Sequence, residues 1–477
     1  MRTLGALAFS AFAVFAAMAK CYPTTSSGGS AVPSSSTEFW FSQPIDHFGL
    51  NNDTWDQRYL FNATFYKPGG PIIMATPGEA AVSSSLADLS HFNYLAQLTD
   101  GLVVLVEHRF YGKSNPMPDL SGDSLKYHTV ENVLQDFAEF IRAAKSNPDQ
   151  IFSLPVSRNS KVVFGGGSYA GSIAAWIRAK YPDLVAGAWA SSAVIKYRLE
   201  NYQFDQSWGK HLEALGCAQD VATAVEDLDS ILLSGNTTAF SELQSKFSFP
   251  ALSPSDFAAL ANVFINSAAM APTTKSGDYT ESTVCAYFDG TRSPLDSYAA
   301  AVAKVVSAGG YTQDSLIQMG DTSLGYENYA LGQSSRVWYY QECAWYGNWQ
   351  VAPPSSTNMQ RYRSQLVNLS YFQPNCRNKF GSDIQIPANS GGFDDKWLGM
   401  LRGTTNIYYT VGAYDIWRNS NVLSWDGYVL QNTTQSPIFL IDKATHSQDV
   451  AGHRVNDLDS VNLAREIGNR LVQQWIG

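Results

Sequence analysis

The spacing of hydrophobic positions in the first part of the chain indicates strands that alternate with helices. Between Phe39 and Lys67, aromatic residues alternate with polar ones, which is typical of antiparallel strands. Short continuous apolar runs follow, each ending in glycine or a polar turn. They are Pro71–Ala75, Leu102–Val106 and Lys161–Phe164, and a stretch with helical 3–4 spacing, Thr129–Lys145, lies among them. Because continuous apolar strands that alternate with helices are buried on both faces, this region predicts a mostly parallel sheet.

Helical periodicity replaces this pattern between residues 200 and 395. The apolar stripes there are Val221, Val225, Leu228 and Leu232; Phe257, Leu260, Val263 and Phe264; and Tyr298, Val302, Val305 and Val306. The earlier pattern then resumes with strands at Ile407–Val411 and Ile438–Ile441 and an amphipathic closing helix at Leu458–Ile476. We therefore expect an α/β domain in two parts, residues 38–199 and 396–477, separated by a helical insertion at residues 200–395.

The N-terminus has the features of a secretory signal peptide. Arg2 precedes an apolar run from Leu4 to Ala19 that ends in the small-x-small sequence Ala17-Met18-Ala19. This run is shorter than the ~20 residues that a spanning helix needs, so a signal peptide at residues 1–19 is favoured over a membrane anchor. Residues 20–37 are rich in Ser, Thr, Gly and Pro, which predicts a flexible leader. The mature protein is expected to be secreted.

Composition and charge exclude several classes of protein. The chain is 45% apolar, which is too high for general disorder, and its net charge is −10. It has no stretch rich in Lys and Arg, so neither nucleic acid nor an anionic membrane surface is an expected partner.

The cysteines and glycosylation sequons agree with export. Cys21 lies beside the cleavage site, and the other four cysteines lie in the insertion, where three pairings are open. We favour the sequential pairing, Cys217 with Cys285 and Cys343 with Cys376. A zinc site competes with these bridges, but no CxxC or paired-histidine spacing supports it, so no metal is expected. The Asn-x-Ser/Thr sequons lie at Asn52, Asn62, Asn236, Asn368 and Asn432.

The strongest chemical signal is a nucleophile elbow around Ser168. The apolar run ending at Phe164 leads into Gly166-Gly167-Ser168-Tyr169-Ala170, and a helical stretch continues to Tyr181. Small residues stand two positions before and two after Ser168, as a tight strand–turn–helix connection requires. There the Ser168 hydroxyl would lie at a helix N-terminus, and the Tyr169 N–H would face a developing oxyanion. The alternative is a glycine-rich turn with an N-capping serine.

A serine nucleophile needs a base and an orienting carboxylate, which follow it along the chain in this kind of fold. His446 stands in a polar loop after the strand Ile438–Ile441 and is the expected base, with His453 as the fallback. Asp415 follows the strand Ile407–Val411 and is the expected acid. The other acids to consider are Asp426, Asp442 and Asp449.

Several motifs resemble one family of secreted and lysosomal serine peptidases. It includes prolyl carboxypeptidase, dipeptidyl peptidase II, thymus-specific serine protease and fungal acid prolyl endopeptidases. The resemblance covers residues 38–477. The motifs are Gln43-Pro-Ile-Asp-His-Phe48, Trp55-Asp-Gln-Arg-Tyr59, Glu107-His-Arg-Phe-Tyr-Gly-Lys-Ser114 and the elbow itself.

The resemblance implies an α/β-hydrolase fold with a helical, disulfide-bearing cap insertion. It also implies hydrolysis after proline by Ser168, Asp415 and His446, without a cofactor. Tyr169 with Gly78 or Glu79 would bind the oxyanion. Trp417 would wall the proline pocket, and the aromatic-rich run from Trp338 to Trp349 supplies further candidates.

The substrate would be a peptide or protein that contains proline, and the choice between exopeptidase and endopeptidase action stays open. A lysosomal or vacuolar location is the alternative to secretion, and a homodimer is left open. Two other functions compete. One is a lipase or esterase of the same fold, although the His-Gly-Gly-Gly motif is absent, and the other is an inactive hydrolase-fold binding protein.

Overall fold

The computed structural model describes residues 37–49, 51–270, 284–320 and 330–477. The expected signal peptide and the leader up to residue 36, with Cys21, lie outside these residues. Within the described ranges, no helix is both long enough and apolar enough to cross a membrane.

An eight-stranded sheet forms the centre of the protein, in the order β1-β2-β4-β3-β5-β6-β7-β10. The first two strands are antiparallel to their neighbours, and β4, β3, β5, β6, β7 and β10 run parallel. Two short strands, β8 and β9, form a separate hairpin. The strands are β1 (Phe39–Pro44), β2 (Thr54–Asn62), β3 (Ile72–Ala75), β4 (Leu102–Val106), β5 (Val162–Gly167), β6 (Gly187–Ser191), β7 (Ile407–Gly412), β8 (Leu423–Ser424), β9 (Gly427–Tyr428) and β10 (Ile438–Ile441).

Helices cover both faces of the sheet, which explains why its central strands are continuously apolar. One face packs against α4 and α6, and the other against α1, α2 and the closing helix α16. The helices of the sheet domain are α1 (Ser84–Leu89), α2 (His91–Thr99), α3 (Gly122–Leu125), α4 (Val130–Ser146), α5 (Pro148–Phe152), α6 (Tyr169–Lys180) and α16 (Asp459–Ile476).

The chain between β6 and β7 is helical. It contains α7 (Gln203–Leu215), α8 (Ala218–Leu232), α9 (Thr237–Lys246), α10 (Pro254–Ala269), α11 (Pro294–Gly309), α12 (Gln313–Gly320), α13 (Ser334–Gln341), α14 (Leu369–Phe380) and α15 (Gly391–Leu401). A π-helical turn, Glu342–Tyr346, continues α13, and short 3₁₀ turns lie at Cys285–Tyr287 and Ser355–Thr357. A further 3₁₀ turn, Arg418–Ser420, follows β7. The buried side chains of α8, α10 and α11 belong to the same hydrophobic cluster as one face of the sheet.

Two disulfides lie in this helical region. Cys217 is bonded to Cys285, and Cys343 to Cys376. This is the sequential pairing that the sequence favours. The second bridge packs with Phe110 and Tyr111 from the loop after β4, so it connects the helical region to the sheet domain.

The periodicity predicts most of these elements to within one to three residues. The expected strands at 102–106 and 438–441 have these bounds in the structure, and α4 and α16 each begin one residue later than expected. The strand β6 was not anticipated. The expected limit of the insertion, between residues 395 and 396, falls inside α15, whose Trp397 packs on Trp176 of α6.

Candidate active site

The elbow around Ser168 has the geometry that its sequence predicts. Ser168 joins β5 directly to α6 and has φ 59° and ψ −130°, a conformation that non-glycine residues rarely adopt. Its backbone N–H donates to the Ser191 carbonyl at 2.9 Å. A Cβ atom on Gly166 would lie 2.4 Å from the Ala170 carbonyl oxygen, so this position needs glycine. The Ser168 side chain is therefore presented at the carboxyl edge of the sheet, at the start of a helix.

His446 and Asp415 meet at the same edge of the sheet. Asp415 follows β7 and His446 follows β10, and His446 Nδ1 lies 2.8 Å from Asp415 Oδ1. Asp415 Oδ1 also accepts the Trp417 N–H at 2.8 Å, and Oδ2 accepts the Asn421 amide at 3.2 Å. Because an ionised carboxylate only accepts hydrogen bonds, Nδ1 carries the ring proton and Nε2 is left as the basic nitrogen. His446 Nε2 is buried and has no hydrogen-bond partner among the described residues.

The loop that carries His446 packs directly on the strand end before Ser168. A Cβ atom on Gly167 would lie 2.7 Å from the Ser447 hydroxyl oxygen, so only glycine fits between the two segments. The Ser447 N–H donates to the Ser192 hydroxyl at 2.9 Å. Ser168 and His446 are each 5% exposed, so nucleophile and base candidates share a largely desolvated location.

The oxyanion candidates lie beside the elbow. Gly78 has φ 69°, and a Cβ atom there would stand 3.2 Å from the Ala170 nitrogen, so the loop after β3 approaches the first turn of α6. Glu79 is buried, and this burial raises the pKa of its carboxyl to about 7, although its own backbone hydrogen bond and the nearby His446 oppose the shift. Tyr169 is buried and its hydroxyl lies 3.0 Å from His108 Nε2.

Trp417 lies between the Asp415 loop and the first helix of the cap. Its ring packs edge-on against Phe204 of α7, with centroids 4.9 Å apart. The side chain is almost fully buried, and its indole N–H has no partner among the described residues.

The aromatic run from Trp338 to Trp349 divides into two groups. Trp338 packs edge-on against Tyr169, at 5.5 Å between ring centroids, so this end of the run reaches the elbow. Trp349 stacks on Phe372 and Tyr339 on Phe380, so those rings belong to the core of the cap.

A second buried carboxyl group near the elbow was not singled out by the sequence. Glu342 lies in the π-helical turn, and its burial raises its pKa well above the ordinary value. It interacts electrostatically with Tyr111, which also interacts with Tyr169 and Glu79. No short motif marks Glu342 in the sequence, and only the fold shows its burial.

The run Glu107–Ser114 forms a buried framework behind the site. Glu107 pairs with Arg58 at 2.5 Å and accepts the Ser114 hydroxyl at 2.8 Å. Arg109 pairs with Asp136 of α4 through two contacts of 2.6 and 2.7 Å. Because buried charges need partners, these ion pairs hold the loop after β4 in one conformation. His108 in that loop then contacts Tyr169.

The fallback histidine and the three alternative acids have other partners in the structure. His453 Nε2 is 2.8 Å from Nδ1 of His91, the first residue of α2. Asp449 accepts hydrogen bonds from β6 and β7. Asp426 lies in the turn between β8 and β9, where its N–H donates to the Ser424 hydroxyl. Asp442 follows β10, and its carbonyl accepts the Ser460 hydroxyl. Among the described residues, none of these three acids is hydrogen-bonded to His446.

The sequons differ in exposure. Asn52, Asn236 and Asn432 are exposed, whereas Asn62 and Asn368 are partly buried. Both amide protons of Asn62 are directed at acceptors, Asp88 at 2.9 Å and Asn93 at 3.3 Å. In the part of the chain that the structure describes, no group of three His, Cys, Asp or Glu residues is placed to hold a metal ion.

A mostly parallel sheet with a serine elbow after a central strand, and an aspartate–histidine pair at neighbouring strand ends, defines an α/β-hydrolase fold. The family model for Serine carboxypeptidase S28 matches residues 43–467. The chain belongs to this family and is a serine-type peptidase.

Three relatives illustrate the range of the similarity. Serine protease vicPb of Bipolaris victoriae is 27% identical over 91% of this chain and 88% of its own length. A probable extracellular serine carboxypeptidase of Arthroderma benhamiae is 27% identical over 91% of this chain and 67% of its own length. The lysosomal Pro-X carboxypeptidase of Bos taurus is 26% identical over 92% of this chain and 87% of its own length.

Proposed function

We propose that this peptidase hydrolyses peptide bonds on the carboxyl side of proline, with Ser168 as nucleophile, His446 as base and Asp415 as orienting acid. The observation that carries the proposal is the buried 2.8 Å contact between His446 and Asp415, on a loop that packs against the residue before Ser168.

The chemistry follows from His446 Nε2, the ring nitrogen that does not face Asp415. Nε2 takes the proton from the Ser168 hydroxyl as its oxygen attacks the substrate carbonyl, and Asp415 stabilises the imidazolium that forms. The protonated ring then gives the proton to the leaving amine, and water hydrolyses the acyl-enzyme. The backbone N–H groups of Tyr169 and of Gly78 or Glu79 would donate to the oxyanion.

Preference for proline is supported by a named relative and by the aromatic residues around the site. The relative from Bos taurus is called a Pro-X carboxypeptidase. Proline has no N–H and a rigid ring, so an enzyme recognises it mainly by shape, and aromatic rings fit such a ring well. Trp417, next to Asp415, is the proposed pocket wall.

We also propose that the protein is exported. The N-terminal sequence, the two disulfides and the exposed sequons support this, because disulfides persist in oxidising compartments. The relatives named extracellular and lysosomal are consistent with either destination. Its partner is a peptide or protein substrate containing proline.

Two assays test the proposal against its alternatives. The wild-type protein is treated with a fluorophosphonate probe, which labels an activated serine, and the labelled peptide is identified by mass spectrometry. A separate sample of untreated protein is assayed on a prolyl peptide and on a short-chain nitrophenyl ester. We expect labelling at Ser168 and preference for the peptide. Absence of labelling would indicate an inactive binding protein, and preference for the ester would indicate an esterase.

Products of a long proline-containing peptide then assign the mode of cleavage. Single residues released from the C-terminus indicate a carboxypeptidase, N-terminal dipeptides a dipeptidyl peptidase, and internal fragments an endopeptidase. Products that do not end in proline on the acyl side would contradict the proposed specificity.

A further inference from the structure

Asp449 is a buried acid on the same loop as His446, and the triad does not use it. Its side chain is 1% exposed. The carboxylate accepts three hydrogen bonds: from the Ser191 hydroxyl at 2.5 Å, from the Thr410 hydroxyl at 2.7 Å and from the Trp189 indole N–H at 2.9 Å. All three donors stand on β6 and β7. The carboxylate therefore attaches the loop to the sheet.

The same strand residues also hold the nucleophile. The Ser191 carbonyl accepts the Ser168 N–H at 2.9 Å, so Ser191 bonds to Ser168 through its backbone and to Asp449 through its side chain. The next residue, Ser192, accepts the Ser447 N–H on its hydroxyl at 2.9 Å. A path of two hydrogen bonds thus connects the nucleophile to the loop of the base.

The loop needs such an anchor because its backbone is strained. Ser447, directly after His446, has φ 53°, in the left-handed region that non-glycine residues rarely occupy. Strained backbone of this kind persists only where surrounding contacts determine it. Arg465 of α16 also donates to the carbonyls of Asp449 and Ala451 at 2.8 and 3.1 Å, so the closing helix holds the loop as well as the strands.

We propose that Asp449 is a positioning residue, which sets the place of His446 relative to Ser168 through Ser191 and Thr410. It does not contact the substrate. The inference rests on the proposed triad. Catalytic groups must be held within about 0.5 Å of their productive geometry, so a loop that loses its anchor to the sheet loses rate before it loses binding.

The variant Asp449→Asn tests this directly. An amide has the same shape but only one acceptor oxygen and no charge. A nitrogen in the Oδ2 place would face the Trp189 indole N–H, and a nitrogen in the Oδ1 place would make the Ser191 hydroxyl turn from donor to acceptor. In either orientation the negative charge that the three donors stabilise is lost. We expect kcat to fall by about 10²-fold while KM stays within about threefold, since misplacement by about 1 Å costs this much in rate. The rate is expressed per active site, counted by fluorophosphonate titration, so that loss of folded protein does not enter.

Thr410 supplies a milder and matched pair of variants. Thr410→Val removes one donor to Asp449, whereas Thr410→Ser keeps the hydroxyl. We expect kcat per titrated site to fall in the valine variant and to stay near the wild-type value in the serine variant. In the double variant Asp449→Asn, Thr410→Val, the loss should be smaller than the product of the single losses, because both act on one network.

The outcomes separate this inference from the proposed function. If the wild type neither labels at Ser168 nor cleaves, the proposed function fails. If the wild type is active, either of two results overturns the positioning role. The first is that Asp449→Asn keeps kcat per titrated site within twofold of the wild type. The second is that the loss of kcat in the double variant equals the product of the two single losses. If Asp449→Asn does not fold, equal kcat values per titrated site for Thr410→Val and Thr410→Ser overturn the role.

Discussion

At the residue scale, the site depends on a few side chains in unusual environments. Ser168 occupies a strained backbone conformation, and Glu79 is a buried carboxyl group near His446. The Nε2 atom of His446 has no hydrogen-bond partner within the described part of the chain. A buried carboxyl group with a raised pKa in such a place is typical of catalytic sites.

Replacing the proposed nucleophile is the first prediction. Ser168→Ala removes a single oxygen, so the protein should fold normally and lose hydrolysis by several orders of magnitude, leaving only ~10³–10⁴-fold acceleration over water. The measurement is kcat/KM on a prolyl peptide. Ser160→Ala is the control, because its buried hydroxyl bonds to the Gly70 carbonyl before β5, at the other end of that strand from Ser168. Activity of Ser168→Ala within tenfold of wild type would refute the nucleophile.

Trp417 gives a prediction about specificity. Trp417→Ala removes an aromatic ring and leaves the triad in place, so kcat/KM should fall more for a prolyl than for an alanyl substrate. The expected difference is about 1–3 kcal/mol, the range for a small apolar contact in a pocket. Equal losses on both substrates would show that Trp417, which packs on Phe204, supports the loop and does not contact proline.

The raised pKa of Glu79 predicts how stability depends on pH. Its carboxyl has a pKa of about 7 in the folded protein against 4.5 ordinarily, so the folded state keeps a proton that the unfolded chain releases. The free energy of unfolding should therefore fall as the pH rises from 4.5 to about 7, by about 3 kcal/mol, and change no further above that. Glu79→Gln should remove this component. Denaturant unfolding at pH 4.5 and pH 7.5 gives the change in the free energy of unfolding for each protein. The same change in the wild type and in Glu79→Gln would contradict the prediction.

At the scale of elements, the hydrophobic pattern identified most strands and helices. A strand buried on both faces is continuously apolar, and a helix buried on one face has apolar residues at 3–4 spacing. The strand β6 escaped because Gly187–Ser191 contains one aromatic residue and no β-branched residue. It is a strand because it fills the space between β5 and β7, where Trp189 is completely buried. Tertiary position overrides weak local preference there.

The two disulfides give a prediction at this scale. The Cys217–Cys285 bridge closes a loop of 68 residues within the cap, so its removal should destabilise mainly α7 to α11, by about 2–4 kcal/mol. The Cys343–Cys376 bridge packs against the loop after β4, so its loss should also affect that loop. Both effects are measured by hydrogen exchange on two double variants. The first is Cys217→Ser with Cys285→Ser, and the second is Cys343→Ser with Cys376→Ser. Uniform loss of protection across the central sheet in the first variant would contradict a local effect.

At the scale of the whole molecule, the exposure of each sequon determines how readily its asparagine can carry a glycan. Asn236 is exposed, and its side-chain oxygen accepts the Ala239 N–H. The side-chain nitrogen of Asn62, in contrast, donates to Asp88 and Asn93. A glycan replaces one amide proton, so at Asn62 it would break a hydrogen bond. In protein secreted from a eukaryotic host, we expect high occupancy at Asn236 and low occupancy at Asn62. Glycopeptide mapping measures both, and the reverse order would contradict the prediction.

The sequence by itself determined the class of fold, the nucleophile candidate and the order of the triad candidates, because strand burial and the tight elbow turn impose local patterns. The sequence favours Asp415 as the acid because it follows a strand, but Asp426, Asp442 and Asp449 also come after that strand and the order along the chain does not exclude them. Only the tertiary structure decides which carboxylate meets His446. The parallel register of β7 and β10 brings Asp415 to Nδ1 and directs Asp449 toward β6 and β7. Contacts between residues far apart in the chain depend on how the strands pair, and no local period records that pairing.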